Sequence, residues 1–504
     1  MMKEQILRGI FSLAGSKVVT LILGIVTTPI LVRILGPTQY GQYAFLMSVL
    51  GVIWIFVHMG ISGGIQKYIS EDREIENWSD QVFGFYFWLS MLLAIIATLV
   101  IFFMAHLGAV ETLLGQEYTT YFYFISIILI TGQSYYVLRY TLMGLQKEHI
   151  SELLPVLHKV VFVVVGLPLA YIGYNVIGVL TGTIVAGILC AAVAFAMLRN
   201  YIETSAIYKP NFDKLPVKEF VTYNIWTIIL VFLLNSLYHV DLLLLEPMTG
   251  STEAGIYKTA LVTAEFVWFI PLAIQRVFIH STSDMWSQGD TKQITEVASQ
   301  TTRFVLLLTL LLSLGIASLA DPFINLYFGS DYSGAVVPLY LLLPGAVGFA
   351  VARPIIGIGQ GKGNLRVLVY ATGFAAVLNL FLNLVLIPIH GMHGAAVATT
   401  MGYGAMVFCS LITARYQGFD PLYDLRLPRI ALTAVVTGTT IFVLSNITGQ
   451  GILSLLVVPP VGFLIFGTLA IATRAIEVDE VQPILKRLPE RLANYTNRFL
   501  RIIS

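Results

Sequence analysis

The chain has 504 residues, of which 57% are hydrophobic and only 11% charged, with a formal net charge of +1 and a mean hydropathy of +0.82. Soluble proteins carry about 25% charged residues, so a water-solvated fold is excluded, and so is the basic surface of a nucleic-acid-binding protein. The two cysteines, Cys190 and Cys409, lie inside apolar runs, which leaves no disulfide framework or zinc site.

Apolar runs long enough to cross a hydrocarbon core of about 30 Å as helices recur from end to end. They predict an all-α polytopic membrane protein with fourteen spans: 18–35, 43–63, 82–107, 120–143, 153–173, 176–198, 220–245, 259–279, 304–320, 335–358, 367–389, 394–414, 430–446 and 452–473. The first run lacks a small-residue cleavage site and is expected to be a retained helix. With the N-terminus inside, the inner segments hold 23 Lys and Arg and the outer loops two. That asymmetry predicts both termini in the cytoplasm. The tail places Leu488, Leu492, Tyr495, Phe499 and Ile502 on one helical face with basic residues opposite, the pattern of an interfacial helix on anionic lipid.

LGPTQYGQY at 35–43 returns as TGSTEAGIY at 249–257, with Gly36, Thr38, Gly41 and Tyr43 matching Gly250, Thr252, Gly255 and Tyr257. In the same register Gly115-Gln-Glu117-Tyr118 matches Gly329-Ser-Asp331-Tyr332, Arg139 matches Arg353 and Gln146 matches Gln360. Each unit spans six predicted helices, so both copies have the same orientation, a parallel repeat. The expected division is an N-terminal six-helix lobe at 1–198, a polar linker at 199–219, a second six-helix lobe at 220–414, an added helix pair at 415–475 and a cytoplasmic tail at 476–504. Gly36 and Gly250 are read as helix terminators; a gate hinge is the sharper reading of the same loop.

Charge inside a span costs about 2.5–3.5 kcal/mol at its centre, which makes Arg139 and Arg353 the informative pair. They are expected either to snorkel to inner phosphates or to form a two-fold basic site for an anionic head group. Arg276, Arg33 and Lys17 extend that basic set. Asp241 and Glu265 are the embedded acids, suited to binding H+ or Na+ or to pairing with a base. Asn224, Asn235, Asn379 and Asn383 are candidate sugar contacts or helix–helix glue. GIGQGKG at 357–363 lacks the spacing, the final Ser/Thr and the preceding strand of a phosphate loop. No catalytic residues, metal site or cofactor are expected, and no outer loop exceeds about 15 residues.

TPILVRILGPTQYGQYAF, VDLLLLEPMTGSTEAGIYKTA and YFGSDYSGA resemble the polysaccharide transporter family of flippases, within the multidrug/oligosaccharidyl-lipid/polysaccharide superfamily. The resemblance covers nearly the whole chain. It implies alternating access and the passage of a polyprenyl phosphate- or pyrophosphate-linked oligosaccharide from the inner to the outer leaflet of the cell membrane. The product would serve surface polysaccharide or protein glycosylation. It also implies membrane lipids and glycan-synthesis proteins as partners, and Asp241 matches an acidic position common in the family. A multidrug or cation exporter of the same superfamily and a membrane-embedded glycosyltransferase or ligase are the competing readings.

Overall fold

A computed structural model describes residues 2–58, 60–71, 73–203, 215–222, 225–449 and 451–485. Most of the linker, Asn224 and the amphipathic part of the tail lie outside the described residues. Every regular element among the described residues is helical. Among the described residues eleven segments are long and apolar enough to cross a membrane: α1 Gly15–Ser70, α2 Trp78–His106, α3 Gln116–Gly144, α4 Glu148–Leu198, α5 Ile225–Thr249, α6 Ser251–Ile279, α7 Thr291–Ser318, α8 Ser330–Gly361, α9 Leu365–Gln417, α10 Leu427–Thr448 and α11 Ile452–Ala472.

Three of these are twice the usual length. At 1.5 Å per residue a straight α9 would run for about 80 Å, well over two membrane cores. Each is broken at mid-length by backbone that a helix cannot contain: Gly36 (φ 67, ψ 172) in α1, Asn175 (φ 49, ψ −127) in α4 and Gly391 (φ 54, ψ −134) in α9. Counted as two crossings each, α1, α4 and α9 bring the total to the expected fourteen. Asn175 and Gly391 share one unusual conformation although they lie two residues out of the 214 register, which aligns Asn175 with Ile389. Asn tolerates positive φ better than other side chains. The repeat also recurs in backbone geometry where its glycines match: Gly115 (φ 101, ψ 163) and Gly329 (φ 117, ψ 159) open α3 and α8 alike.

The chain divides into two compact units, Met1–Gly255 and Ile256–Ser504; α5 belongs to the first and the division falls within α6. In the first unit, the second half of α1 packs along α5, so closely that a Cβ on Gly51 would meet the His239 ring. One apolar cluster gathers Phe45, Leu46, Leu50, Phe122 and Leu129; another gathers Ile61, Tyr68, Trp78, Phe83 and Phe220.

In the second unit α8 is the core. Its most apolar stretch is 72% buried, against 22–33% for α6, α7, α9, α10 and α11. The added pair, α10 and α11, packs on α7, where Ser445 Oγ donates to Ser318 O at 2.8 Å. At the opposite end Arg303 of α7 is fully buried and pairs with Asp424 and Glu480. Arg426 joins them, with 2.9 Å contacts to Asp424 and Glu477. Partial burial opposes ionisation of Asp424, but the hydrogen bond from Arg426 and the charges of Arg303 and Arg426 outweigh it and hold the carboxyl below its ordinary range. This network ties the segments just before α10 and just after α11 to α7.

Candidate functional site

The two repeat-related arginines stand in different chemistry. Arg139, on α3, is half-buried; its Nη2 lies 3.0 Å from Glu152 Oε1 and its Nε donates to Ser151 O at 3.3 Å. Glu152 is buried, and the Ser16 hydroxyl of α1 donates to its carbonyl. The start of α1, the end of α3 and the start of α4 are therefore joined around one ion pair. Lys17 is exposed beside Ser16, at the same end as Arg139. Arg33 is also exposed, but sixteen residues on, or about 24 Å along the axis, so the basic residues of this unit are not one cluster.

Arg353, on α8, is 3% exposed. Its guanidinium lies over Phe349 at 4.2 Å and over Trp268 at 5.5 Å, and Nη1 donates to Gln275 Oε1 at 3.4 Å. Trp268 is held by its own bond from Nε1 to Ala346 O at 2.9 Å. Gln275 continues to Gln360 Oε1 at 3.2 Å, while the neighbouring Arg276 is exposed. Sequence explains the contrast: Glu152 aligns with Arg366 in the 214 register, and residues 361–370, at the start of the helix after the second copy's arginine, hold no Asp or Glu that could serve as its counter-ion.

The embedded acids are also placed differently. Asp241 is 1% exposed, with Leu242 N donating to its Oδ1 at 2.8 Å. Glu265 is half-buried at the end of the α-helical part of α6, before a 3-10 turn. Asn235 is half-buried and returns its amide to Val231 O at 2.8 Å. Asn379 and Asn383 are fully buried, donating to Ala398 O at 3.2 Å and Asn379 O at 2.9 Å. Their Oδ1 atoms have no hydrogen-bond partner among the described residues, which leaves two buried oxygen acceptors one helical turn apart. No group of three or more His, Cys, Asp or Glu that could hold a metal occurs among the described residues.

Three functional-looking residues were missed by sequence reasoning. Glu152 and Arg303 fall at predicted loop–span borders, and Glu246 falls one residue beyond the predicted seventh span. Glu246 is 5% exposed and accepts from Tyr118 and, at 2.6 Å, from Ser251. A charge at a span edge reads as solvated unless its partner is known; Tyr118 is 128 residues away.

The family model described as "Polysaccharide biosynthesis protein" matches residues 6–267, just over half of the chain. The chain belongs to that family. The MatE model matches residues 227–385 of this family member. It is 22% identical over 394 residues, 76% of this chain and 79% of the relative, to "Probable low-salt glycan biosynthesis flippase Agl15" of Haloferax volcanii. Its fold is that of "Lipid II flippase MurJ, inward closed conformation", with a TM-score of 0.70 at 15% identity, covering 91% of this chain and 97% of that one. It is shared with an inward-facing multidrug resistance MATE family transporter of the MOP superfamily, with a TM-score of 0.66 at 13% identity, covering 78% and 94%. This family member is a multi-pass membrane transporter of that superfamily, not an enzyme.

Proposed function

We propose that this transporter is a flippase that turns a lipid-linked oligosaccharide, carried on a polyprenyl phosphate or pyrophosphate, from the inner to the outer leaflet of the cell membrane by alternating access. The product serves surface polysaccharide or protein glycosylation, and both termini are cytoplasmic. Membership of the polysaccharide biosynthesis family carries this reading, supported by the long alignment with the glycan flippase relative.

The chemistry agrees. A phosphate has no affordable path through hydrocarbon unless its charge is met by donors. Lys17, Arg33 and Arg276 are exposed and meet an anionic head group directly. Arg139 and Arg353 meet it once Glu152 and the Phe349–Gln275 setting release them. The polyprenyl tail stays in lipid. Asp241 and Glu265 are the coupling residues for H+ or Na+, and glycan-synthesis proteins supply the substrate on the cytoplasmic side. The MatE match favours one other reading, a drug or cation exporter.

The test is the sidedness of the lipid-linked glycan in cells lacking the protein. The glycan is expected to accumulate facing the cytoplasm, to be cleared by the wild type, and to clear more slowly with Arg139→Ala/Arg353→Ala. An unchanged lipid-linked pool together with new drug sensitivity overturns the flippase reading in favour of the exporter.

A further inference from the structure

The loop written twice in this sequence meets its own copy. Thr38 Oγ1 and Thr252 Oγ1, which are repeat-mates 214 residues apart, lie 2.8 Å from each other. A Cβ added to Gly41 would fall on the Ser251 carbonyl and 2.8 Å from Gly255 N; one added to Gly255 would fall on the Pro37 carbonyl and 2.9 Å from Gly41 N. Pro37 and Ser251 are themselves repeat-mates. The contact is therefore reciprocal: each copy's glycine receives the backbone of the other, as only residues without a side chain permit.

A second repeated motif brackets this seam. In Gly115-Gln-Glu117-Tyr118, Glu117 Oε2 accepts from Gln42 Nε2 at 2.9 Å, and Tyr121 donates to Gln42 Oε1 at 3.2 Å. These bonds stay within the first copy. Tyr118 reaches across instead: its hydroxyl donates to Glu246 and lies 3.4 Å from Ser251 Oγ, while Ser251 Oγ donates to Glu246 at 2.6 Å. The Tyr118 ring is aimed by an edge-on contact with Phe45 at 5.6 Å. Consecutive residues of one helix start thus hold the two sides of the seam separately.

We propose that the Gly41–Gly255 crossing is the outer gate of this transporter, and that Tyr118 with Glu246 is its latch. The seam suits repeated parting. At Gly41 and Gly255 backbone meets backbone, so no side chain has to be withdrawn from a socket there, and the Thr38–Thr252 hydroxyl pair is exposed, where water replaces the bond at small cost. What resists opening is the buried set of Tyr118, Glu246 and Ser251. The inference rests on the transporter reading and on the outward orientation of residues 36–42.

The experiment uses the full chain with Cys190→Ala and Cys409→Ala, carrying Ala254→Cys at a fully buried position beside the seam, labelled in intact cells by a membrane-impermeant maleimide. Adding Tyr118→Phe, which keeps the ring and removes the latch, is expected to raise the labelling rate about fivefold, the shift that loss of one net hydrogen bond gives. Gly41→Ala, which wedges the seam, is expected to do at least as much. In the Cys190→Ala/Cys409→Ala background Thr38→Cys/Thr252→Cys, oxidised to a disulfide, is expected to abolish transport, and reductant to restore it. Undiminished transport by the disulfide-linked protein, or unchanged labelling in Tyr118→Phe protein of normal yield, overturns the gate. Labelling needs no substrate, so a raised rate in cells whose lipid-linked glycan is unaffected overturns the flippase reading and leaves the gate standing.

Discussion

Arg139 and Arg353 occupy the same register in the two copies of the repeat, yet the first is neutralised by Glu152 at 3.0 Å and the second is stacked on Phe349 and Trp268. In the 214 register Glu152 aligns with Arg366, and no Asp or Glu occurs in 361–370 to replace it. An ion pair and an aromatic cage solve the same problem, that of keeping a guanidinium inside an apolar helix bundle. They respond differently to change. The pair depends on a counter-charge and tolerates any cation that reaches it; the cage depends on the flat, weakly hydrated shape of guanidinium.

The largest effect is expected from breaking the pair on its acidic side. Glu152→Ala leaves Arg139 with no counter-ion in a half-buried place, and the first unit is expected to lose about 3–5 kcal/mol, read as a lower unfolding midpoint of the purified protein in detergent. A midpoint within error of wild type would mean that the pair is solvent-screened and that the contrast between the copies is superficial. A smaller, asymmetric effect is expected from lysine. Arg353→Lys forfeits the stacking and is expected to cost about 1–2 kcal/mol, whereas Arg139→Lys keeps a charge beside Glu152 and is expected to cost less than half as much in the same assay. Equal costs would erase the distinction drawn here. The smallest structural effect is expected from Arg366→Glu, which writes the first copy's charge pattern into the second. Arg366 is exposed, so the midpoint should move by less than about 0.5 kcal/mol, while clearance of the lipid-linked glycan slows if the second copy's surplus of positive charge receives the phosphate.

Much of the architecture was legible beforehand because it is local. Span count follows from hydropathy over about twenty residues, and the breaks in α1 and α9 fall at Gly36 and Gly391, in the gaps between predicted spans. The break in α4 falls at Asn175, a residue type that marks such a turn less strongly. The site was less legible. Composition flagged Arg139 and Arg353 because charge in a span is rare, but neither Glu152 nor Phe349 carried a signal of partnership. Asn379 and Asn383 stand four residues apart and so share a helix face; their complete burial depends on what packs over that face.

By itself, the sequence determined that this chain is helical and membrane-spanning, which stretches are apolar enough to span, and that a set of motifs is written twice, 214 residues apart. Hydrophobicity and backbone preference are properties of a residue and its near neighbours, so they survive in one dimension. Only the tertiary structure decided that Arg139 is paired and Arg353 caged, that Arg303 is wholly buried, and that Gly41 and Gly255 meet across 214 residues. Those outcomes depend on which helix faces which, and apolar side chains that look alike to the lipid leave that choice to close packing and to a few long-range polar partners.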